Sequence, residues 1–228
     1  FFVDTCKKDY TMNTNTPWES KKSTAVFRGT NTGCGTTTQT NPRLKACWLS
    51  VQKENKENNY INAGLVSWNT RIRKMKGQKY LQFPNPKSFP FDLVKSLKPI
   101  EQAEYKYILH IQGHVSAFRL SLELESKCCL LIVESKYKLW YSHLLKEYEH
   151  YVPVKADLSN LFDQVKWCRE NDQKCKTIAE NAYAFSQKYL SKEAILNYLE
   201  NLLYVIKKNN GVYIYNTLSI SEVIQNLE

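Results

Sequence analysis

Long hydrophobic runs are missing from this sequence. The longest, Cys128–Val133, has six residues, where a membrane-crossing helix needs about 20, so such a helix is excluded. Glycine is scarce as well: seven in 228 residues, about half of ordinary usage. Three of the seven (Gly29, Gly33 and Gly35) nevertheless fall within one seven-residue stretch, which asks for a reason in the backbone. No Gly-Lys-Ser/Thr follows that stretch, so it is not a phosphate loop of the nucleotidase kind. Nineteen asparagines yield no Asn-x-Ser/Thr acceptor. The chain opens Phe1-Phe2 without a methionine or a signal-peptide pattern, as a processed or truncated start would. Of the four histidines, none has a Ser or Cys partner at a spacing that signals a catalytic triad.

What is present describes a globular chain. Hydrophobic residues make up 43% and charged residues 24%, which excludes wholesale disorder. The net charge of +10 favours an anionic partner: nucleic acid, an acidic membrane or a phosphorylated small molecule. Seven cysteines cannot all pair internally. Cys128 and Cys129 point to opposite faces of a strand. Cys168 and Cys175 are seven apart, with no second pair at zinc-ligand spacing. They read as buried free thiols of a reducing compartment.

Along the chain, STAVFRG (23–29) has a β-prone core running into the Gly/Thr-rich stretch. A basic helical segment follows from Arg43 to Val51, then YINAGLVSW (60–68) as a buried strand. Arg71 to Lys79 is strongly basic. Four of the seven prolines lie between Pro84 and Pro99 and mark a connecting segment. YKYILHIQ (105–112) reads as a strand ending at Gly113; CCLLIV (128–133) and HYVPV (150–154) are two more. Residues 116–126 fit a strand and a helix equally well, since Phe118, Leu120, Leu122 and Leu124 alternate while Ala117, Leu120, Ser121 and Leu124 share a helical stripe. The last third is helical. Leu158, Leu161, Phe162, Val165 and Cys168 follow Asp157 as an N-cap, Ile178 to Tyr189 continue the period, and a third helix follows Ser191. Strands separated by helical lengths predict an α/β fold with a mainly parallel sheet.

Two places combine a strand end, a small-residue turn and an arginine. One is Phe27-Arg28-Gly29-Thr30; the other runs from Gly113 through His114 to Arg119. If the residues after Gly113 form a helix, its unpaired N–H groups face the crevice at the strand's C-terminal end, where open α/β sheets bind anionic nucleotides, and arginine's planar fork suits phosphate oxygens. A surface ion pair and an ordinary turn are the alternative reading of the same residues.

Lys21-Lys22-Ser23-Thr24-Ala25-Val26-Phe27-Arg28-Gly29 resembles the K-x-x-A-x-F-R-G block of the protein O-glucosyltransferase and fungal capsule-associated family, glycosyltransferase family 90. Tyr105-Lys106-Tyr107, Gly113 and Ser116-Ala117-Phe118-Arg119-Leu120 resemble a second block. His150-Tyr151-Val152-Pro153-Val154 with Asp157-Leu158-Ser159 resembles a third, and Ile178-Ala179-Glu180 continues the match in the family's order. The resemblance covers roughly residues 18–206. It implies the Rossmann-like, donor-binding C-terminal domain of a GT-B glycosyltransferase with a helical C-terminus, and it makes residues 116–126 a helix. It also implies metal-independent, inverting transfer of glucose or xylose from UDP-glucose or UDP-xylose to an acceptor hydroxyl on a glycan or glycoprotein, with no cofactor beyond that donor. The sequence has no Asp-x-Asp to hold a divalent cation, so arginines and helix N-termini must neutralise the leaving diphosphate. By resemblance, Arg28 and Arg119 contact the diphosphate, and Ser23, Gly29, Thr30, Gly113, Val115, Ser116, Ala117 and Phe118 surround the nucleotide.

The resemblance thins at the front. Residues 1–20 are expected to be a remnant of the acceptor and catalytic-base region, 21–190 the nucleotide-sugar domain and 191–228 C-terminal helices. Asp4 and Asp9 are candidates for the general base; the alternatives are that both are loop residues and that the base precedes Phe1. Two other functions remain open: a basic nucleic-acid-binding module, suggested by Arg71–Lys79 with Trp68 and Tyr80, and an inactive UDP-sugar-binding structural domain. No nucleic-acid motif appears, so no nucleic-acid partner is expected. Cytoplasm is the expected compartment, the endoplasmic reticulum lumen the alternative.

Overall fold

The computed structural model describes residues 12, 15–74, 79, 81–115 and 117–210; the candidates Asp4, Asp9 and Ser116 lie outside them. The chain divides into two compact units between Ala184 and Phe185. In chain order the elements are β1 (Lys22–Thr30), α1 (Pro42–Ser50), α2 (Lys53–Asn58), β2 (Ile61–Ser67), a short ribbon of β3 (Arg73–Lys74) and β4 (Leu81–Gln82), α3 (Pro99–Gln102), β5 (Tyr105–His110), α4 (Leu120–Leu124), β6 (Cys129–Val133), β7 (Val152–Val154), α5 (Leu161–Glu170), α6 (Asp172–Tyr189) and α7 (Lys192–Asn210).

Five strands form one all-parallel sheet in the order β2-β1-β5-β6-β7, a Rossmann-like α/β arrangement. Parallel strands are covered on both faces and therefore read as unbroken apolar runs. All six residues of β5 are buried, and so are Ala25, Val26 and Phe27 in the middle of β1. Pro153 in β7 removes a donor at the sheet's edge, where its loss is tolerated. On one side Phe27, Tyr107, Leu131 and Val152 pack with Leu161, Val165, Cys168 and Ile178 of the late helices. A smaller cluster, Leu44, Cys47 and Leu65, is covered by Trp68, Phe89 and Phe91. The Pro-rich segment is thus anchored: Val94 N–H donates to the Leu65 carbonyl at 2.8 Å.

The strands expected at 23–29, 60–68, 105–112, 128–133 and 150–154 are all in this sheet. Two local expectations are corrected. The helix over 116–126 is confined to the five residues of α4, because Ser126 turns back to donate to the Glu123 carbonyl and Lys127 adopts a left-handed φ of 51° on the way into β6. Asp157 does not cap α5. Its carboxylate accepts from Ser159 N–H within the preceding turn, while Asn160 occupies the cap and accepts from Lys155 N–H.

At the sheet's N-terminal edge, cations are fully engaged. Lys21 is buried, and its ammonium donates to the carbonyls of Ala103, Ser126 and Lys127 and to Cys128 Sγ at 2.8–3.3 Å. Arg169, near the end of α5, donates to the carbonyls of Ser23, Asn58 and Asn59. Tyr107 is different: burial, then the nearness of Cys168, Cys175, Asp172 and Cys129, pushes its phenol above the ordinary range. Its hydroxyl has no partner among the described residues.

In the second unit Ser191 caps α7, its Oγ accepting from Ala194 N–H at 3.2 Å. The apolar stripe Tyr198, Leu199, Leu202 and Ile206 is 40–45% exposed. Among the described residues no helix is long and apolar enough to cross a membrane.

Candidate nucleotide-sugar site

The C-terminal ends of β1 and β5 come together around three arginines. Arg43, in the first turn of α1, ties the two strands. Its guanidinium donates to Thr30 O, Ile111 O, Gln112 O and Thr32 Oγ1 at 2.6–3.1 Å. α1 starts there because Asn41 accepts from the N–H groups of Arg43 and Leu44, and Pro42 has no N–H to leave unpaired. Burial, then the charge of Arg119, pulls the Arg43 guanidinium down to about 9, so it remains charged at neutral pH.

The glycine cluster serves this assembly. Asn41 donates to the carbonyls of Asn31, Thr32 and Gly35, and Arg73 donates to Gly35 O and Asn31 O. Arg73, from the basic run, is therefore a buried loop tie. At Gly113 a Cβ would lie 2.7 Å from Thr32 Oγ1, so the close approach of the β5 turn to the β1 loop requires glycine.

The expected helix N-terminus does not follow Gly113: α4 begins only at Leu120, so Arg119 precedes the helix instead of lying in its first turns, and its side chain crosses to β1. Its Nη1 donates to the Arg28 carbonyl at 2.7 Å, its guanidinium stands 5.9 Å from the Phe27 ring centroid, and its Nη2 is 3.3 Å from where a Cβ on Gly29 would sit. Nη2 and Nε make no hydrogen bond among the described residues. Arg28 is held the other way. Its terminal nitrogens donate to Phe27 O, Asn62 O and Asn62 Oδ1 at 2.7–2.9 Å, so β2 engages its fork.

Gly29, Thr30, Gly113, Val115, Ala117, Phe118 and Arg119 gather at this edge; Val115 and Phe118 are large apolar residues more than 60% exposed. Ser23 does not join them. It lies at the start of β1, seven residues before Thr30, or roughly 20 Å along a strand. The sequence block that suggested it spans the whole strand and so includes both ends.

Several site features were not legible as such. His110, fully buried, pairs through Nδ1 with Glu123 Oε2 of α4 at 2.5 Å. His110 Nε2, Gln112 Oε1 and His114 Nε2, on alternate residues, are buried without a hydrogen-bond partner among the described residues. Burial, then the charges of Arg73, Arg71 and Arg43, lowers the His114 pKa. Beside this turn a cleft of about 130 Å³ opens at the ends of β6 and β7, lined by Gln112, Leu120, Glu134, Tyr137, Lys138 and Tyr151 among others. Buried polar atoms are normally satisfied, and these three, of His110, Gln112 and His114, are concentrated at one strand end.

The profile of Glycosyl transferase family 90 matches residues 3–208. The chain therefore belongs to glycosyl transferase family 90. It is 48% identical to Uncharacterized protein 179R of Invertebrate iridescent virus 6, over 96% of this chain and 20% of that protein. It is 27% identical to human Protein O-glucosyltransferase 1, over 82% of this chain and 42% of that protein, and 27% identical to human Protein O-glucosyltransferase 3, over 84% and 33%. The chain thus spans between about a fifth and two fifths of the length of these relatives. A solved structure of TarM is similar with a TM-score of 0.48 at 13% identity, over 83% of this chain and 36% of that one.

Proposed function

We propose that this chain is the donor-binding part of a glycosyltransferase that moves glucose or xylose from a UDP-sugar to an acceptor hydroxyl, with inversion and without a catalytic metal or further cofactor. The observation that carries the reading is the unengaged edge of Arg119, held over Gly29 at the C-terminal end of β1. When the glycosidic bond breaks, negative charge builds on the leaving diphosphate. A guanidinium fixed before the reaction stabilises that charge with little reorganisation. Arg119 supplies the contact; Arg28 acts through its carbonyl, which orients Arg119. Arg43 braces both strand ends. The exposed Val115 and Phe118 offer apolar surface to the nucleoside, and Gln112 Oε1 offers an acceptor to an N–H such as that of uracil. The general base, Asp4, Asp9 or a residue of a longer chain, belongs to the acceptor side.

The test is calorimetric titration of UDP. A charge-assisted hydrogen bond contributes about 1.5–3 kcal/mol, and about 1.4 kcal/mol is tenfold in affinity. Arg119→Ala should therefore weaken UDP binding roughly 10- to 100-fold while the domain stays folded, and Arg119→Lys should recover part of it. Unchanged affinity in folded Arg119→Ala protein overturns the donor-site reading. Transfer or slow UDP-sugar hydrolysis should persist in excess chelator; complete loss restored by manganese would overturn the metal-free mechanism.

A further inference from the structure

Three cysteines from three different elements converge in the core. Cys129 opens β6, Cys168 lies near the end of α5 and Cys175 in the first turn of α6. All are buried, and their sulfurs lie within 4.8 Å of one another. The spacing of Cys168 and Cys175 alone read as a pair of core thiols; the parallel sheet brings in the third sulfur from 39 residues upstream of Cys168. A disulfide would join two of them and leave the third over. Around a zinc ion with Zn–S bonds of about 2.3 Å, sulfurs sit about 3.8 Å apart, a small contraction from the observed arrangement.

A second observation points to the same place. Tyr107 pairs in register with Cys129 across β5 and β6 and belongs to the same packed cluster as the three cysteines. It is fully buried, and its hydroxyl has no hydrogen-bond partner among the described residues. An unpartnered phenol in a core is costly, and this one belongs to the same buried cluster as three soft ligands.

We infer that Cys129, Cys168, Cys175 and the Tyr107 hydroxyl form a structural site for one zinc-like divalent cation. Thiolates select soft or borderline metals over magnesium and calcium. With three thiolates a divalent ion leaves a net charge of −1 and a monovalent ion −2, and the smaller buried charge is the less costly. Loading couples to folding, because the ligands come from a strand and two helices that meet only in the native state. The site ties β6 to the α5–α6 corner. It lies at the N-terminal ends of the strands, opposite the donor cleft, so it adds no metal to the proposed chemistry.

The test uses the intact chain, purified under reducing conditions without chelator, incubated with Zn²⁺, desalted and measured by elemental analysis and native mass spectrometry. One zinc per chain is expected. Substitution with Co²⁺ should give a sulfur-to-metal charge-transfer band and the intense visible bands of tetrahedral cobalt. Cys175→Ala should lower zinc affinity by more than the roughly 10- to 100-fold that outer partners cost, and Tyr107→Phe should lower it at least within that range. A folded wild-type chain that keeps no zinc and titrates with three free thiols at these positions overturns the site. So does a chain two hydrogens lighter, with two of these sulfurs joined. Because both results come from the unaltered chain, a variant that fails to fold leaves the test intact.

Discussion

The two edges of the central sheet satisfy their polar side chains to different degrees. At the N-terminal edge every donor of consequence has an acceptor: the Lys21 ammonium is surrounded by three carbonyls and a sulfur, and Arg169 takes three carbonyls. At the C-terminal edge Arg28 Nε, Arg73 Nε, His110 Nε2, Gln112 Oε1 and His114 Nε2 are buried without partners among the described residues, and Arg119 keeps part of its fork open. A polar core completes itself when it serves only folding. The atoms left open at this end are those that the proposed donor site would engage. At the other end Tyr107 Oη has no hydrogen-bond partner among the described residues and belongs to the same buried cluster as the three cysteines.

The contrast can be broken by mutation, and the largest effect is expected where satisfaction is complete. Lys21→Met leaves three carbonyls facing an apolar chain and should cost about 3 kcal/mol of stability, read as a lower denaturation midpoint, with UDP affinity of the folded protein unchanged. A parallel loss of UDP affinity would show that the two edges are not independent. Gly113→Ala comes next. Its Cβ would press Thr32 Oγ1 away from Arg43, costing about 1–3 kcal/mol by overpacking and weakening UDP binding as well. Adding Thr32→Ala should recover part of the stability, a coupling that a double-mutant cycle measures.

The smallest effect concerns a proton. His114 titrates below its ordinary value because of burial and the surrounding arginines. The unfolded chain therefore binds that proton more readily, and the His114 contribution to stability is present above the ordinary histidine range and lost as pH falls through the folded value. A bound diphosphate would offset the arginine field, so UDP should move the His114 titration upward. Nuclear magnetic resonance of the imidazole reads this directly; a titration unmoved by saturating UDP would place the anion elsewhere.

The sheet was legible because each strand carries its own signal: Ala25-Val26-Phe27 and Cys129 to Val133 are apolar without interruption, as strands covered on both faces must be. The late helices were legible from period alone. Charged and polar groups that act across long separations were not. Arg43 looked like part of a basic helix, and nothing local shows that it reaches Ile111 and Gln112. Glu123 sits in a helix of five residues, too short to establish a period, and its partner His110 belongs to another element. Asp157 and Asn160 are both good capping residues, so the choice between them rests on where the chain turns, which the positive φ of Leu158 decides.

The register of β1 has a consequence for how the chain is made. Its two neighbours arrive at very different times: Ala25 pairs with Ile61 on one side and with Tyr107 on the other. At synthesis rates of about 5–20 residues per second, the second partner emerges roughly 4–16 s after β1 itself. Such non-local pairing is the slow part of forming a parallel sheet. Through that interval one side of Ala25-Val26-Phe27 presents unpaired backbone and apolar side chains. Slowing translation after residue 67 should therefore lower the soluble yield, whereas slowing it after residue 133, when β6 has also been made, should not.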